Sequence, residues 1–357
     1  MEPLTRAALQ RSLDDARVQR GEQTASLSEF TFLAQYPGDV PWAVGPFERI
    51  PLLDFALTGE WDDPAGIGWT SASLINPTLI ARGDELHLFY RASPQKESLS
   101  SRIGHAVYTD AAGWADDARN PVVHPTLDDE LLGVEDPKVY EADGRWFLFY
   151  NGVFPVTEED RLRHPSPGYP VETVGCDVSL AVSDDLETWT KIGPVVDHAV
   201  TRMWAKGAVI PRDERGRAVR IGGSYLMYLS EGCDGVPHVG RSDDLVHWDF
   251  APQPYLDLGP LGADAHLHEV ATAIVRGDEL ILDFFYGAAE RWSAGQARYR
   301  LDDPYRQIDI SPGGTLAWGG MVEWGGRPVF AQGWDSPVGR RELQFFGLVG
   351  ASGQEWE

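Results

Sequence analysis

The chain repeats one pattern, and that repeat limits its fold more than any other feature. "NPTLIARGDELHLFYRA" begins at Asn76, "DPKVYEADGRWFLFYNG" at Asp136 and "EVATAIVRGDELILDFFYG" at Glu269. Each reads as strand, tight turn, strand. The turns "RGDE", "ADGR" and again "RGDE" carry the Asp and Gly that hairpins favour, and the flanking runs are rich in Val, Ile, Leu, Phe and Tyr. Two looser units, "KGAVIPRDERGRAVRIGGSYLMYLSEG" from Lys206 and "GGMVEWGGRPVFAQGW" from Gly319, extend the series. A second repeat interleaves with the first: "LAVSDDLETWTKIG" from Leu180, "VGRSDDLVHWDFAP" from Val239 and a degenerate copy, "IGHAVYTDAAGWADD", from Ile103. Two hairpins per unit, with units starting at 76, 136, 206, 269 and 319, predict four-stranded blades and an all-β, five-bladed β-propeller.

Composition agrees. Glycine (38), proline (25) and tryptophan (13) are plentiful, and 43% hydrophobic residues suffice for a core, as expected of a turn-rich sheet protein. Apolar residues recur at helical period from Leu4 to Val18, which predicts a short helical extension within residues 1–30; residues 31–357 are assigned to the propeller. The segment "TFLAQYPGDVPWAVGPFERI" is expected to complete the last blade. A formal net charge of −25 repels phosphate backbones and anionic lipid, so neither nucleic acid nor membrane is an expected partner. The first residues lack the apolar core of a signal peptide and no membrane-length apolar run follows, which predicts a cytoplasmic protein. Cys176 and Cys233 lack metal-type partners and are expected to be buried thiols.

In a propeller, the first strand of each unit lines the central axis. Asn76, Asp136, Lys206 and Glu269 open their units, so they are expected to converge. Asn-Pro and Asp-Pro steps also cap ordinary turns, but four coincident polar positions favour a site. Cleavage of a glycosidic bond needs an acid for the leaving oxygen and a base or external nucleophile on the opposite face, and Asp136 with Glu269 could form such a pair. Asn76, Arg91, Glu135, Asn151, Lys206, His268 and Tyr286 are candidate substrate contacts. Arg91, Arg102, Lys206 and His268, with Lys138 nearby, form a cationic group on an otherwise acidic chain and suit an anion such as phosphate. Asp264, His266 and His268 in "DAHLH" read as loop polarity or substrate contacts, so no metal and no cofactor is expected.

The ordered series "GPFERI", "NPTLI", "FYRAS", "SRIGHAVYTDAAGW", "GVEDPKV", "LAVSDDLETW", "KGAVIP" and "HEVATAIV…FFYG" resembles glycoside hydrolase family 130, the β-mannoside phosphorylases and related mannosidases, over roughly residues 40 to 310. The resemblance implies a five-bladed propeller and inverting chemistry. It makes Asp136 the general acid, acting through a sugar hydroxyl, and phosphate commonly the nucleophile. Arg91, Arg102 and Lys206 match basic or polar site positions of the family. Three places depart from its pattern: Lys138 stands where arginine usually follows "EDP", "KGA" replaces "KDA", and "HEVATA" replaces a segment rich in glycine and proline. A carboxylate at Glu269 would repel a phosphate dianion and could instead activate water, so inverting hydrolysis with Glu269 as base is the rival reading. Furanoside-cleaving propellers rank lower, because Asn76 stands where they carry an aspartate. A non-catalytic sugar binder, stacking its ligand on Trp69, Trp204, Trp292 or Trp334, ranks lower still. The expected partners are an oligosaccharide or glycoside and inorganic phosphate, and the sequence leaves a homo-oligomer open.

Overall fold

The computed structural model describes residues 40–349 apart from 60–65, 67, 72, 95–98, 166–173, 289–290, 316–318 and 334–340. The helix expected between Leu4 and Val18 lies outside the described residues, as does Trp334.

Three blades are regular four-stranded antiparallel meanders in chain order. The first comprises Ser73–Arg82, Glu85–Ser93, Arg102–Thr109 and Gly113–Asp116; the second comprises Gly133–Ala142, Arg145–Pro155, Val174–Ser183 and Thr190–Pro194. The fourth comprises His266–Arg276, Glu279–Ala288, Arg291–Arg300 and Asp309–Pro312. In the third blade the inner strand is broken. Ala205–Lys206 pairs with Glu231–Gly232, Val209 then bridges Tyr228, and Tyr225–Leu229, His238–Ser242 and Asp249–Pro252 complete the sheet. The fifth blade takes Val322–Trp324, Arg327–Gln332 and Glu342–Leu348 from the end of the chain and Phe47–Arg49 from its beginning, paired antiparallel to Glu342–Leu348. This pairing closes the ring into a five-bladed β-propeller, with the segment before Ile50 completing the last blade.

The two "SDDL" copies form one turn geometry twice. Asp185 Oδ1 accepts from the Glu187 and Thr188 N–H groups, Asp244 Oδ1 accepts from those of Val246 and His247, and Leu186 and Leu245 share a positive φ of 66° and 65°. Each turn joins the third and fourth strands of its blade, as the second repeat predicted.

Strand alternation divides each blade between two neighbours. Leu86, Leu88, Tyr90 and Ala92 pack toward the fifth blade while Phe89 packs toward the second. Further apolar clusters lie between the second and third, third and fourth, and fourth and fifth blades. Trp69 is fully buried in the cluster between the first and fifth blades, so its ring is blade packing and not a sugar platform.

One buried cation joins the ring at its axis. Arg212 extends from the third blade. Its Nη2 donates to Leu79 O of the first blade (2.9 Å), its Nη1 donates to Gly319 O, and its guanidinium lies 5.6 Å from the Tyr140 ring of the second. Its backbone N–H donates to Ala273 O of the fourth blade (3.0 Å). Burial lowers its pKa to about 10, Tyr140 and Asp213 opposing, so it stays charged at neutral pH. A Cβ at Gly216 or Gly320 would come within 2.2 or 2.6 Å of guanidinium nitrogens, so glycine at both positions leaves the room that Arg212 fills. Replacing Arg212 with Met leaves buried carbonyls without a donor and is expected to cost about 2–4 kcal/mol. The measurement is a urea unfolding curve: a lower midpoint at unchanged slope is expected, and a midpoint equal to wild type would contradict this role.

Candidate active site

Two inner strands begin with the same local distortion. Register skips between Ile75 and Thr78 and between Glu135 and Lys138, and within the skips Asn76 and Asp136 adopt φ of 50° and 55°. Both precede a proline, which cannot donate to the ladder. Asn and Asp are among the non-glycine residues that best tolerate the left-handed region. The extra residue re-aims the side chain, as bulges beside sites do. The result is contact between blades: Asn76 Nδ2 donates to Asp136 Oδ1.

In the third blade the left-handed residue is Gly207, at φ 66°. Lys206 is therefore the counterpart of Glu135, one position away from the equivalence with Asp136 read in the sequence. The cross-strand pairs agree, since Ile75 faces Arg91, Glu135 faces Asn151 and Lys206 faces Glu231. The same alignment exposes a residue that the sequence pattern does not mark: Glu231 stands in the cross-strand position that Arg91 and Asn151 hold in their blades. It went unnoticed because its segment, "YLSEG", lacks the shared tyrosine-then-polar spacing.

Arg91 and Lys206 each bridge the two adjacent carboxylates. Arg91 Nη2 lies 2.7 Å from Glu135 Oε2 and its Nη1 lies 3.0 Å from Asp136 Oδ1, while Ser101 Oγ accepts from its Nε (2.7 Å). Lys206 Nζ contacts Glu135 Oε1 and lies 3.4 Å from Asp136 Oδ2. All four side chains are largely buried. Beside them, Lys138 Nζ donates to Ala271 O (3.1 Å) and stands 3.8 Å from Glu269 Oε1, linking the second blade to the fourth. Glu269 packs over Gly207, where a Cβ would meet its Cγ at 2.9 Å. Trp204 Nε1 donates to Glu231 Oε1 (3.2 Å), and the Lys206 ammonium lies 5.7 Å from the Trp204 ring.

These neighbours drive the carboxyls apart. Burial alone would raise Asp136, but Lys206, Arg91 and Asn76 outweigh it and bring it down to about 2. Burial raises Glu269 to about 8, with Lys138 opposing and Glu231 and Asp136 adding to the rise. Burial also raises Glu231 and lowers Lys138. Lys206 resists burial because Glu135 and Asp136 hold its ammonium well above the usual lysine range. At neutral pH one carboxyl of the expected pair is an anion and the other keeps its proton. Pairs divided in this way are what acid-base chemistry uses.

The remaining expected residues occupy several places. Burial lowers His268 to about 4, assisted by the Lys206 charge, so its imidazole is neutral; its ring packs on Phe285 with centroids 4.7 Å apart. Asn151 is buried, and its Nδ2 donates to Ala205 O (2.9 Å), bracing the second blade against the third. Arg102 Nη1 donates to Ser101 O (2.8 Å) and Leu132 O (3.4 Å), in the wall between the first two blades. Tyr286 is buried in the apolar cluster between the third and fourth blades, and its hydroxyl bonds Ser293. Trp204 stands in the charged cluster; the Trp292 side chain lies outside the described residues.

A family model described as beta-1,4-mannooligosaccharide phosphorylase, that of glycoside hydrolase family 130, matches residues 60–164. Over 185 residues the chain is 27% identical to a 1,2-beta-oligomannan phosphorylase of Thermoanaerobacter sp. (strain X514), a match covering 50% of this chain and 53% of that protein. Over 95 residues it is 32% identical to a beta-1,2-mannobiose phosphorylase of the same organism, covering 24% of this chain and 31% of the relative. The chain thus spans about half the length or less of the curated relatives it matches. A solved glycosyl hydrolase from Bacteroides ovatus shares the fold, with a TM-score of 0.64 and 20% identity over 88% of this chain and 96% of that one. Together with the motifs from "GPFERI" to "HEVATAIV", these matches support a place for the chain in glycoside hydrolase family 130, to which it is similar over part of its length.

Proposed function

We propose that this chain cleaves β-mannosides with inversion, passing the mannosyl unit to inorganic phosphate, and that it works in the cytoplasm, where a sugar phosphate conserves bond energy. One observation carries the reading: Asp136 is held as an anion by Arg91 and Lys206, the two cations a phosphate would use. A dianion that draws on Arg91 and Lys206 weakens the contacts that depress Asp136, and burial then favours its protonated form, the proton being taken up from solvent as the anion binds. Arrival of the nucleophile thus arms the acid. The Asp136 proton passes to the departing sugar oxygen, through a sugar hydroxyl where the carboxyl does not reach it directly, as phosphate attacks the anomeric carbon from the opposite face.

Glu269 fits this scheme better than the hydrolytic one. A group that keeps its proton to about pH 8 is a poor base for water at neutral pH, and as a neutral carboxyl it does not repel the anion. The curated relatives named above are phosphorylases, which supports the same choice.

Incubation with β-1,2- and β-1,4-linked manno-oligosaccharides, followed by NMR of the products, is expected to give α-mannose 1-phosphate only when phosphate is present. Free mannose released at a rate indifferent to phosphate would instead show hydrolysis. Asp136→Asn is expected to lower turnover by about 10²–10⁴-fold. The pH profile follows from Glu269: activity should fall as pH rises through about 8, where Glu269 ionises and repels the anion. Glu269→Gln should lose that alkaline limb, and an unchanged limb in the variant would assign it to another group.

A further inference from the structure

A cleft of about 430 Å³ opens between the third and fourth blades, lined by Pro237, Leu256, Asp257, Ala263, His266 and Leu267 among others. None of these residues belongs to the charged cluster, yet the two are joined by one strand. His266 and Leu267 open His266–Arg276, the strand that carries His268 and Glu269. At about 3.3 Å per residue, His266 is no more than about 10 Å from Glu269, a separation that a short oligosaccharide spans.

The lining has the two parts that a pyranose recognises. Leu256, Leu258 and Leu267 supply apolar surface for the C–H face of a sugar ring. Asp257 is exposed, and of its two carboxylate oxygens only Oδ1 is engaged among the described residues, by the Gly259 N–H (2.9 Å). A carboxylate held in this way accepts hydroxyl donors through its other oxygen. His266 lines the same cleft: a Cβ at Gly287 would meet the imidazole at 2.5 Å, so the bare glycine lets the ring lie across the neighbouring strand. The cleft runs out to solvent, which suits a chain that continues beyond it.

We infer that this cleft binds a sugar unit of the substrate beyond the two that flank the scissile bond, and so gives the enzyme a preference for oligosaccharides over disaccharides. The inference rests on the proposed function and names a further part of its substrate. The test compares kcat/KM for a β-linked mannobiose and the corresponding tetraose, with phosphate present, in wild type, Asp257→Ala and Ala263→Trp. Ala263 is exposed at the rim, so the added indole fills the cleft without entering a core. Wild type is expected to favour the tetraose, and the tetraose-to-biose ratio should fall about tenfold in each variant, as for loss of a hydrogen bond to a charged group. Cleavage of both substrates with a ratio that neither variant moves would overturn the cleft proposal alone. A wild-type protein that turns over neither substrate would overturn both it and the proposed function.

Discussion

Everything in this molecule depends on five sheets meeting at one axis, and one buried arginine of the third blade touches the other four. Arg212 reaches backbone carbonyls of the first and fifth blades, stacks on a tyrosine of the second and pairs through its own backbone with the fourth. A buried guanidinium without a carboxylate is costly unless its donors find acceptors, and here both terminal nitrogens find carbonyls, each in a different blade. Leu79, Tyr140, Arg212 and Ala273 lie three to five residues beyond Asn76, Asp136, Gly207 and Glu269 along their strands, so this cation floors the cup in which the charged side chains meet.

Above that floor, the bulges before Pro77 and Pro137 turn Asn76 and Asp136 toward each other, and opposite charges from three blades lock around them. Buried ion pairs contribute little net stability once desolvation is counted, but removing one partner leaves an uncompensated charge. The lattice of Arg91, Lys206, Glu135 and Asp136 is therefore better understood as a device for holding charge in a reactive arrangement than as a source of stability. Within one cluster these cations hold Asp136 as an anion, while burial keeps Glu269 protonated.

Much of this was legible in the sequence because it is local. Hairpin turns and the "SDDL" segments repeat at intervals that only stacked blades explain, and the Asp-Pro step marks the bulge that aims Asp136. What escaped was set by partners from elsewhere in the chain. No neighbour of Arg212 in sequence hints that it crosses the axis. Glu231 becomes visible only when the blades are aligned through their cross-strand pairs. The offset of Lys206 arises because glycine, which has no side chain to display, takes the left-handed position in the third blade. Glu269 entered the rival, hydrolytic reading as a base because the sequence shows a carboxylate, and only the fold shows how deeply it is buried. Trp69 was a candidate platform only under the lowest-ranked reading, with blade packing the commoner role of tryptophan, and the closed ring buries it.

The central claim is that Arg91 and Lys206 hold the acid in wait and then share their charge with an incoming anion beneath the sugar. A crystal structure of the protein soaked with inorganic phosphate and a manno-oligosaccharide tests it most directly. The account predicts an anion within hydrogen-bonding distance of both cations and a glycosidic linkage above Asp136. Phosphate bound away from Arg91 and Lys206, with both cations still closed on Glu135 and Asp136 and the sugar remote from the axis, would contradict it.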